Sequence, residues 1–276
     1  MMTPHDYFAT LVAGPDEDGQ MPLTEAALSI AQDVYPDLDL ATLQVQLDTL
    51  AAALKSRLPA DSSQTHRLRC LNRYFFGDLG FTVNRNDYYD PDNSYLNRVL
   101  ERRVGIPISL ALLYMEIGQQ IGLALRGVSF PGHFLVKLRM RTGKTIGEVF
   151  IDPCDGQSLS REQLEQRMSL FPLIPALRDA DAREIIVRML RNLKSIYSER
   201  HDFEKLLDVQ KRLVIVSPDR AEERRDRGLV YAQLDCPHAA LEDLNFYLQA
   251  NPKAPDADEL LRTVAVLRNV AARPRH

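Results

Sequence analysis

The chain has 276 residues, 45 % of them hydrophobic, which is enough to bury at least one large core. The net charge of -4 offers no general attraction to nucleic acid or to anionic lipid, so neither a nucleic-acid partner nor a membrane partner is expected. The three cysteines are too few and too scattered for a disulfide framework, and no segment has the pattern of a leader or the length of a membrane span. These features favour a soluble, cytoplasmic protein.

Three amphipathic helices are predicted in the first third of the chain. They cover residues 24–34, 40–58 and 61–76, where apolar residues recur at intervals of three and four. Thr24 has the residue type that caps a helix N-terminus, and Asp61 is expected to open the third helix. Three such helices in succession predict a layer whose apolar faces turn towards a common core.

Residues 84–94 are rich in turn formers and predict a loop that leads into another helix. The acids and hydroxyls of this loop partly match a calcium-binding loop, but Tyr95 occupies the position at which the calcium loop needs glycine. Asp92 or Asn93 is therefore expected to cap the next helix. No metal site is predicted in this loop.

A helix that is apolar on almost every side is predicted to begin at Pro107 and to run past Ile117. Such a helix belongs in the middle of a core, and proline fits its first turn because an N–H there would have no helical partner. Ser109 falls in the same turn, beside unpaired backbone N–H groups and at the positive end of the helix dipole. A hydroxyl in this position either caps the helix or reacts.

Downstream of this central helix, the hydrophobic pattern changes to a period of two, which predicts an antiparallel hairpin. A two-residue turn at Thr142–Gly143 would join the two strands. That turn places Val136 opposite Val149, so that apolar pairs share one face of the hairpin. The same register places His133 directly opposite Asp152.

Ser109, His133 and Asp152 have the residue types of a triad of nucleophile, base and orienting carboxylate. The carboxylate would fix the tautomer of the imidazole, the imidazole would take the proton of the hydroxyl, and the helix N-terminus would stabilise developing negative charge. Spacing alone does not establish that Ser109 meets His133. The alternative is that the serine caps the helix, the histidine forms a hydrogen bond in the core and the aspartate forms a turn.

Three segments of the chain carry a resemblance to known proteins. They are Arg103-Val-Gly-Ile-Pro-Ile-Ser-Leu, Gly127-Val-Ser-Phe-Pro-Gly-His-Phe-Leu-Val and Phe150-Ile-Asp-Pro. In order and spacing they resemble the bacterial SirB-type transglutaminase-like proteins. The resemblance implies a mostly helical α+β fold. It consists of a transglutaminase-like (papain-like) core, whose central buried helix packs on a small antiparallel sheet, and an all-α tetratricopeptide-like tail.

The nucleophile position departs from the pattern of the wider superfamily, whose triad is Cys, His and Asp. The resemblance carries these roles to Ser109, His133 and Asp152, so a serine stands where the superfamily has a cysteine. A hydroxyl ionises far less readily than a thiol, which argues against transglutaminase or cysteine-protease activity. Cys154 lies within reach of the same cleft, either as a displaced nucleophile or as an inert, partly buried cysteine.

The C-terminal part carries an internal repeat of 34 residues, which is the tetratricopeptide period. Matching pairs at that spacing are Tyr197 with Tyr231, Leu207 with Leu241, and Ser217-Pro218 with Asn251-Pro252. The second copy has Gly228 and Ala240 where the repeat needs small residues, and a closing helix is expected near 260–270. We therefore expect a transglutaminase-like domain with an N-terminal helical layer over residues 1–178, and helical repeats over residues 179–276.

Two functions follow from these features. The favoured one is a non-catalytic or weakened transglutaminase-like protein that binds a protein or peptide partner through its cleft and its helical repeats, although the repeats could also be a purely structural tail. The other is a serine-dependent acyl hydrolase or transferase that acts on an amide, ester or thioester through the three triad residues.

No cofactor is predicted. A metal site on His133 and Asp152 comes third, because no other histidine lies near them in sequence. The loop of residues 81–94 could cover the cleft.

Overall fold

The computed structural model describes residues 2–14, 21–130, 132–142, 145–168 and 177–272. The protein is a mostly helical α+β protein, as predicted. It divides into two compact units. The first unit is Pro15–Met189, and the second unit combines Met1–Gly14 with Leu190–His276. The first helix, α1 (Pro4–Val12), thus belongs with the C-terminal residues, whereas the predicted domain boundary at residues 178 and 179 groups it with the first domain.

Several helices of the first unit pack against one another in the region that the sequence predicts as a helical layer. In chain order the helices of this unit are α2 (Leu23–Ser29), α3 (Leu40–Lys55), α4 (Gln64–Asn72), α5 (Leu96–Arg102), α6 (Pro107–Gln120), α7 (Arg161–Met168) and the beginning of α8 (Ala182–Glu199). A 3-10 turn, Ile30–Asp33, extends α2, and a π-helical segment, Arg73–Asp78, extends α4.

Two of the predicted helix starts are wrong. Thr24 does not cap α2, because its hydroxyl donates a hydrogen bond to Glu116 on α6. Asp61 does not open α4, which begins at Gln64 after Ser63. The Ser63 hydroxyl accepts the N–H of the third helical residue, and this cap fixes the start of the helix.

The loop before α5 is held by ion pairs, and the predicted cap at Asp92 or Asn93 is wrong. Asp90 caps a short 3-10 turn by accepting the N–H of Asp92 at 3.1 Å, while α5 itself begins without a side-chain cap. The two carboxylates pair with arginines of α5, Asp90 with Arg102 at 2.7 Å and Asp92 with Arg98 at 3.0 Å. The acids that resemble a calcium loop therefore have cationic side chains as partners.

A four-stranded antiparallel sheet completes the first unit. Its strands, in spatial order, are β3 (Leu125–Phe130), β4 (His133–Thr142), β5 (Thr145–Ile151) and β6 (Ser158–Leu159), and β1 (Thr82–Val83) pairs separately with β2 (Val104–Gly105) in parallel. The helix α6 packs on β3 and β4, and eleven of its 14 residues are buried. Gly118 allows this close approach, since a Cβ there would lie 2.3 Å from Leu125 Cδ1. The predicted central helix on a small sheet is confirmed.

The register of the β4–β5 hairpin differs from the predicted one by two residues. Val136 pairs with Ile151 instead of Val149, and Thr142 pairs with Thr145, so the predicted turn is also wrong. The two residues between these threonines lie outside the described residues. A shift of two leaves every side chain on its original face, and the alternation of apolar residues therefore cannot distinguish the two registers.

The second unit is built of helices that pack in sequence. After the end of α8 they are α9 (Phe203–Val216), α10 (Ala221–Gln233), α11 (Pro237–Ala250) and α12 (Ala257–Ala271). The predicted small residues lie at helix contacts: a Cβ at Gly228 would meet Leu244 at 3.0 Å, and Ala240 is fully buried. The predicted closing helix is confirmed as α12. The helix α1 packs on α9, where the Arg212 guanidinium lies 4.8 Å from the ring centroid of Phe8.

Among the helices of the described residues, none combines the length and the apolar character needed to cross a bilayer.

Candidate functional site

His133 and Asp152 form a hydrogen-bonded pair at one end of β4 and β5, the two inner strands of the sheet. His133 opens β4 and Asp152 directly follows β5, and the imidazole Nε2 lies 2.9 Å from Asp152 Oδ2. Because of the observed register the two residues are diagonal neighbours on one face rather than directly opposite. Side chains of this length still meet across a diagonal. Their side chains are 26 % and 19 % exposed, so the pair is accessible from outside the core.

A tight turn fixes the orientation of the Asp152 carboxylate. Its Oδ1 accepts the backbone N–H of Cys154 at 2.9 Å, and its backbone carbonyl accepts the N–H of Gly156 at 2.8 Å. Burial acts to raise the pKa of Asp152, but the hydrogen bonds from His133 and from the Cys154 N–H outweigh it and hold that pKa below its usual value. The carboxylate is therefore kept ionised and aimed at the imidazole.

Arg188 on α8 holds the backbone around His133. Its guanidinium donates to the carbonyl oxygen of His133 at 2.7 Å, to that of Phe130 at 3.2 Å and to the hydroxyl of Ser129 at 2.6 Å. The same guanidinium lies 5.6 Å from the ring centroid of Phe134. One side chain thus ties together the neighbouring ends of β3 and β4. No sequence motif marked this arginine, because it lies on a helix 55 residues after His133.

Ser109 is fully buried and its hydroxyl is already engaged. It donates to the backbone carbonyl of Asn93 at 2.6 Å and accepts the backbone N–H of Ile106 at 3.1 Å. Gly105 leaves room for this arrangement, since a Cβ there would lie 2.7 Å from Ser109 Oγ. Among the described residues, no hydrogen bond joins Ser109 to His133. The structure thus joins two of the three predicted triad residues and gives the hydroxyl of the third another partner.

Asn93 connects Ser109 to the loop that follows β1. The Asn93 side chain is buried, and its amide donates to the carbonyl of Asp87 at 2.7 Å and to that of Tyr88 at 3.2 Å. Burial is the largest cause of a raised pKa at Tyr88. Through Asn93, the loop that the sequence predicts as a possible cover is joined to Ser109.

Cys154 lies beside the pair. One ring nitrogen of His133, one carboxylate oxygen of Asp152 and the Sγ of Cys154 all lie within 4.8 Å of one another. Burial and the neighbouring negative charge of Asp152 raise the pKa of the Cys154 thiol to about 12. A thiol in that condition is protonated near neutral pH, which opposes its use as a nucleophile.

Comparison with known proteins agrees with this architecture. Residues 41–191 match the model of the transglutaminase-like superfamily, and residues 193–265 match a tetratricopeptide-repeat model. These matches define a transglutaminase-like protein with a repeat tail. The chain belongs to the transglutaminase-like superfamily, within the group that contains the UPF0162 and SirB1 proteins. The resemblance to SirB-type proteins is thereby confirmed.

Relatives in several bacteria are similar over nearly the whole chain. A UPF0162 protein of Xylella fastidiosa (strain Temecula1) is 38 % identical, with 88 % of each chain covered. Protein SirB1 of Salmonella typhimurium is 29 % identical over 89 % of this chain and 92 % of the relative. UPF0162 protein YchA of Escherichia coli K12 is 29 % identical over 92 % of this chain and 95 % of the relative. The search of solved structures gave no match.

Proposed function

We propose that this protein is a non-catalytic, or catalytically weakened, transglutaminase-like protein that binds a protein or peptide through its cleft and through its helical repeats. One observation carries the proposal. The hydroxyl of Ser109, which stands at the nucleophile position, is buried, and its only proton is held by backbone carbonyls, that of Asn93 at 2.6 Å and that of Ile106 at 3.1 Å. A serine nucleophile must instead give that proton to its base during attack.

The hydrogen bonds of Ser109 support a structural role. Its hydroxyl joins the first turn of α6 to Asn93, and Asn93 in turn holds the backbone of the loop at Asp87 and Tyr88. A group that leaves the carbonyl of Asn93 to attack a substrate would leave a buried acceptor unpaired, which costs roughly 1–3 kcal/mol. In this proposal Ser109 stabilises the fold and does not itself contact the partner.

The helical repeats support binding. Tetratricopeptide repeats stack helical pairs into surfaces that proteins use for peptides. The second unit matches a tetratricopeptide-repeat model, and buried apolar residues of α11 and α12 form a core with partners on α10. Its helices are also joined by buried charge, since Arg227 on α10 forms a bidentate pair at 2.6 and 2.8 Å with the buried Asp243 on α11. In this proposal the unit supplies an ordered framework for binding a partner.

A serine-dependent acyl hydrolase or transferase is the second candidate function. Its support is the His133–Asp152 pair, in which a carboxylate orients an imidazole at 2.9 Å as a general base requires. In that function the hydroxyl of Ser109 would exchange Asn93 for His133 when substrate binds. The acceptor would be an amide, ester or thioester carbonyl.

Replacing Ser109 by cysteine distinguishes the two functions. If His133 is aligned with this position, the introduced thiol forms an imidazolium–thiolate pair that iodoacetamide alkylates rapidly even below neutral pH. We expect the introduced thiol of Ser109→Cys to react more slowly than the exposed Cys236, as followed by peptide mass spectrometry of the folded protein. Fast alkylation that disappears in Ser109→Cys combined with His133→Ala would overturn the proposal.

Binding is tested with a partner identified by crosslinking in cells and then purified. We expect the wild-type protein and the Ser109→Ala variant to bind it with the same affinity, at a temperature where circular dichroism shows both to be folded. A partner that is released in modified form by the wild-type protein, and retained unmodified by Ser109→Ala, would instead establish the hydrolase or transferase.

A further inference from the structure

The three side chains of His133, Asp152 and Cys154 bring a nitrogen, an oxygen and a sulfur donor to one point. Their ligand atoms all lie within 4.8 Å of one another, and the nitrogen and oxygen donors are 2.9 Å apart. We propose that these residues form a binding site for Zn²⁺ or a similar divalent transition-metal ion. The sequence does not predict this site. A metal site on His133 and Asp152 alone has only two ligands, and the structure supplies the third as Cys154 rather than as a second histidine.

The donor set fits zinc. Imidazole nitrogen, thiolate sulfur and carboxylate oxygen are the protein donors that Zn²⁺ takes, at about 2.0–2.3 Å each. Tetrahedral bonds of that length set the donor atoms about 3.5 Å apart. The nitrogen and oxygen donors, 2.9 Å apart, lie closer than this value, and all three donors lie within 4.8 Å of one another, so small side-chain rotations would complete the site. Three protein ligands leave the fourth position for water or for a group of a bound partner.

The charges balance when the ion is bound. Zn²⁺ adds two positive charges, and the carboxylate of Asp152 with the thiolate of Cys154 supplies two negative ones, while the imidazole stays neutral. The thiol of Cys154 releases one proton to solvent. The imidazole keeps its proton, which moves from the metal-binding nitrogen to the other ring nitrogen. A neutral centre of this kind suits a partly buried position.

The surrounding structure fixes the ligands, as metal sites require. The backbone N–H of Cys154 holds Oδ1 of Asp152 at 2.9 Å and leaves the other oxygen directed at His133. Arg188 holds the carbonyl of His133 at 2.7 Å. These hydrogen bonds therefore hold Asp152 and His133 in place whether or not the ion is bound.

The test uses metal ions alone, added to full-length protein from which metal has been removed with a chelator. Co²⁺ replaces Zn²⁺ in such sites and reports a bound thiolate by a charge-transfer absorption band. We expect a band that saturates at one equivalent of Co²⁺ and is displaced by one equivalent of Zn²⁺. We also expect Cys154→Ser to abolish the band and Asp152→Asn to weaken Co²⁺ binding by at least about 10-fold.

Cys70→Ser is the matched control, because Cys70 also lies beside a histidine, with its Sγ 3.6 Å from Nε2 of His66. We expect this variant to keep the band and the affinity of the wild-type protein. A band that persists in Cys154→Ser, a band that is lost in Cys70→Ser, or wild-type protein that gives no band at saturating Co²⁺ would each overturn the site. Circular dichroism of the metal-free variants establishes that each is folded.

Discussion

Ser109 illustrates how one hydroxyl can look like a nucleophile and yet hold the structure together. Its place at the head of a buried helix is the place of the superfamily nucleophile, and a pattern of residue types cannot tell the two roles apart. The difference lies in the partner of the hydroxyl, which is the carbonyl of Asn93 rather than the imidazole of His133. That partner depends on the path of the loop before α5, and the sequence does not specify this path.

Replacing Ser109 by alanine should lower the free energy of unfolding by about 1–3 kcal/mol, because the change leaves the carbonyl of Asn93 and the N–H of Ile106 buried without this partner. Chemical denaturation measures the difference. Ser56→Ala is the control, since the hydroxyl of Ser56 also donates to a carbonyl, that of Ala53, but in an exposed position. Its expected cost is below about 0.5 kcal/mol. Equal costs in the two variants would contradict a structural role for Ser109.

In metal-free protein, the thiol of Cys154 should be alkylated more slowly than that of Cys236. Its pKa is raised from 9.0 to about 12 by burial and by Asp152, so at pH 8 its thiolate fraction is about a thousandfold smaller than that of an unshifted thiol. The measurement is the rate of iodoacetamide modification at Cys154 and at the exposed Cys236, resolved by peptide mass spectrometry. Equal rates would show that Cys154 is activated and would revive it as a displaced nucleophile.

At the scale of elements, the hairpin shows which part of a prediction is robust. The alternation of apolar residues assigns each side chain to a face, and this assignment survives a slip of two residues. His133 and Asp152 therefore meet although the predicted pairing of Val136 with Val149 is wrong. Arg188 could not be predicted, because its contact with His133 joins two elements that are distant in sequence and share no pattern.

The strand β5 is tied to neighbouring elements through Glu148. Its carboxylate accepts a hydrogen bond from Arg161 on α7 and lies 3.7 Å from Nζ of Lys137, whose side chain is only 2 % exposed. The hydrogen bond from Arg161 is the largest cause of a lowered pKa at Glu148, and the charge of Lys137 adds to it. This carboxylate therefore stabilises the folded state only while it is ionised.

The pH dependence of unfolding tests this tie. Because the folded pKa lies below the ordinary value of 4.5, the contribution is complete above pH 4.5 and disappears as the pH falls through the folded pKa. Glu148→Gln should cost of the order of 1 kcal/mol at neutral pH and progressively less in acid. Glu101→Gln, at a side chain that is 66 % exposed, is the control and should show little dependence. A cost for Glu148→Gln that does not shrink in acid would refute the explanation.

At the scale of the whole molecule, the sequence predicts the transglutaminase-like core and the helical repeats better than it predicts which residues belong to each compact unit. The central helix, the sheet and the closing helix α12 follow from apolar periodicity and from the 34-residue repeat. The membership of α1 in the unit of the repeats does not follow, because a single short helix carries no signal of what it packs against. Its partner is set by tertiary contacts such as that of Phe8 with Arg212.

The central claim is that the hydroxyl at the nucleophile position is not activated. The most direct measurement is to treat native protein with a serine-directed fluorophosphonate and to map any adduct by mass spectrometry, with His133→Ala as the control. The predicted result is no adduct at Ser109, because its proton is held by the carbonyl of Asn93 and its side chain is buried. Stoichiometric labelling of Ser109 in the wild-type protein that disappears in His133→Ala would contradict the claim and establish a serine-dependent enzyme.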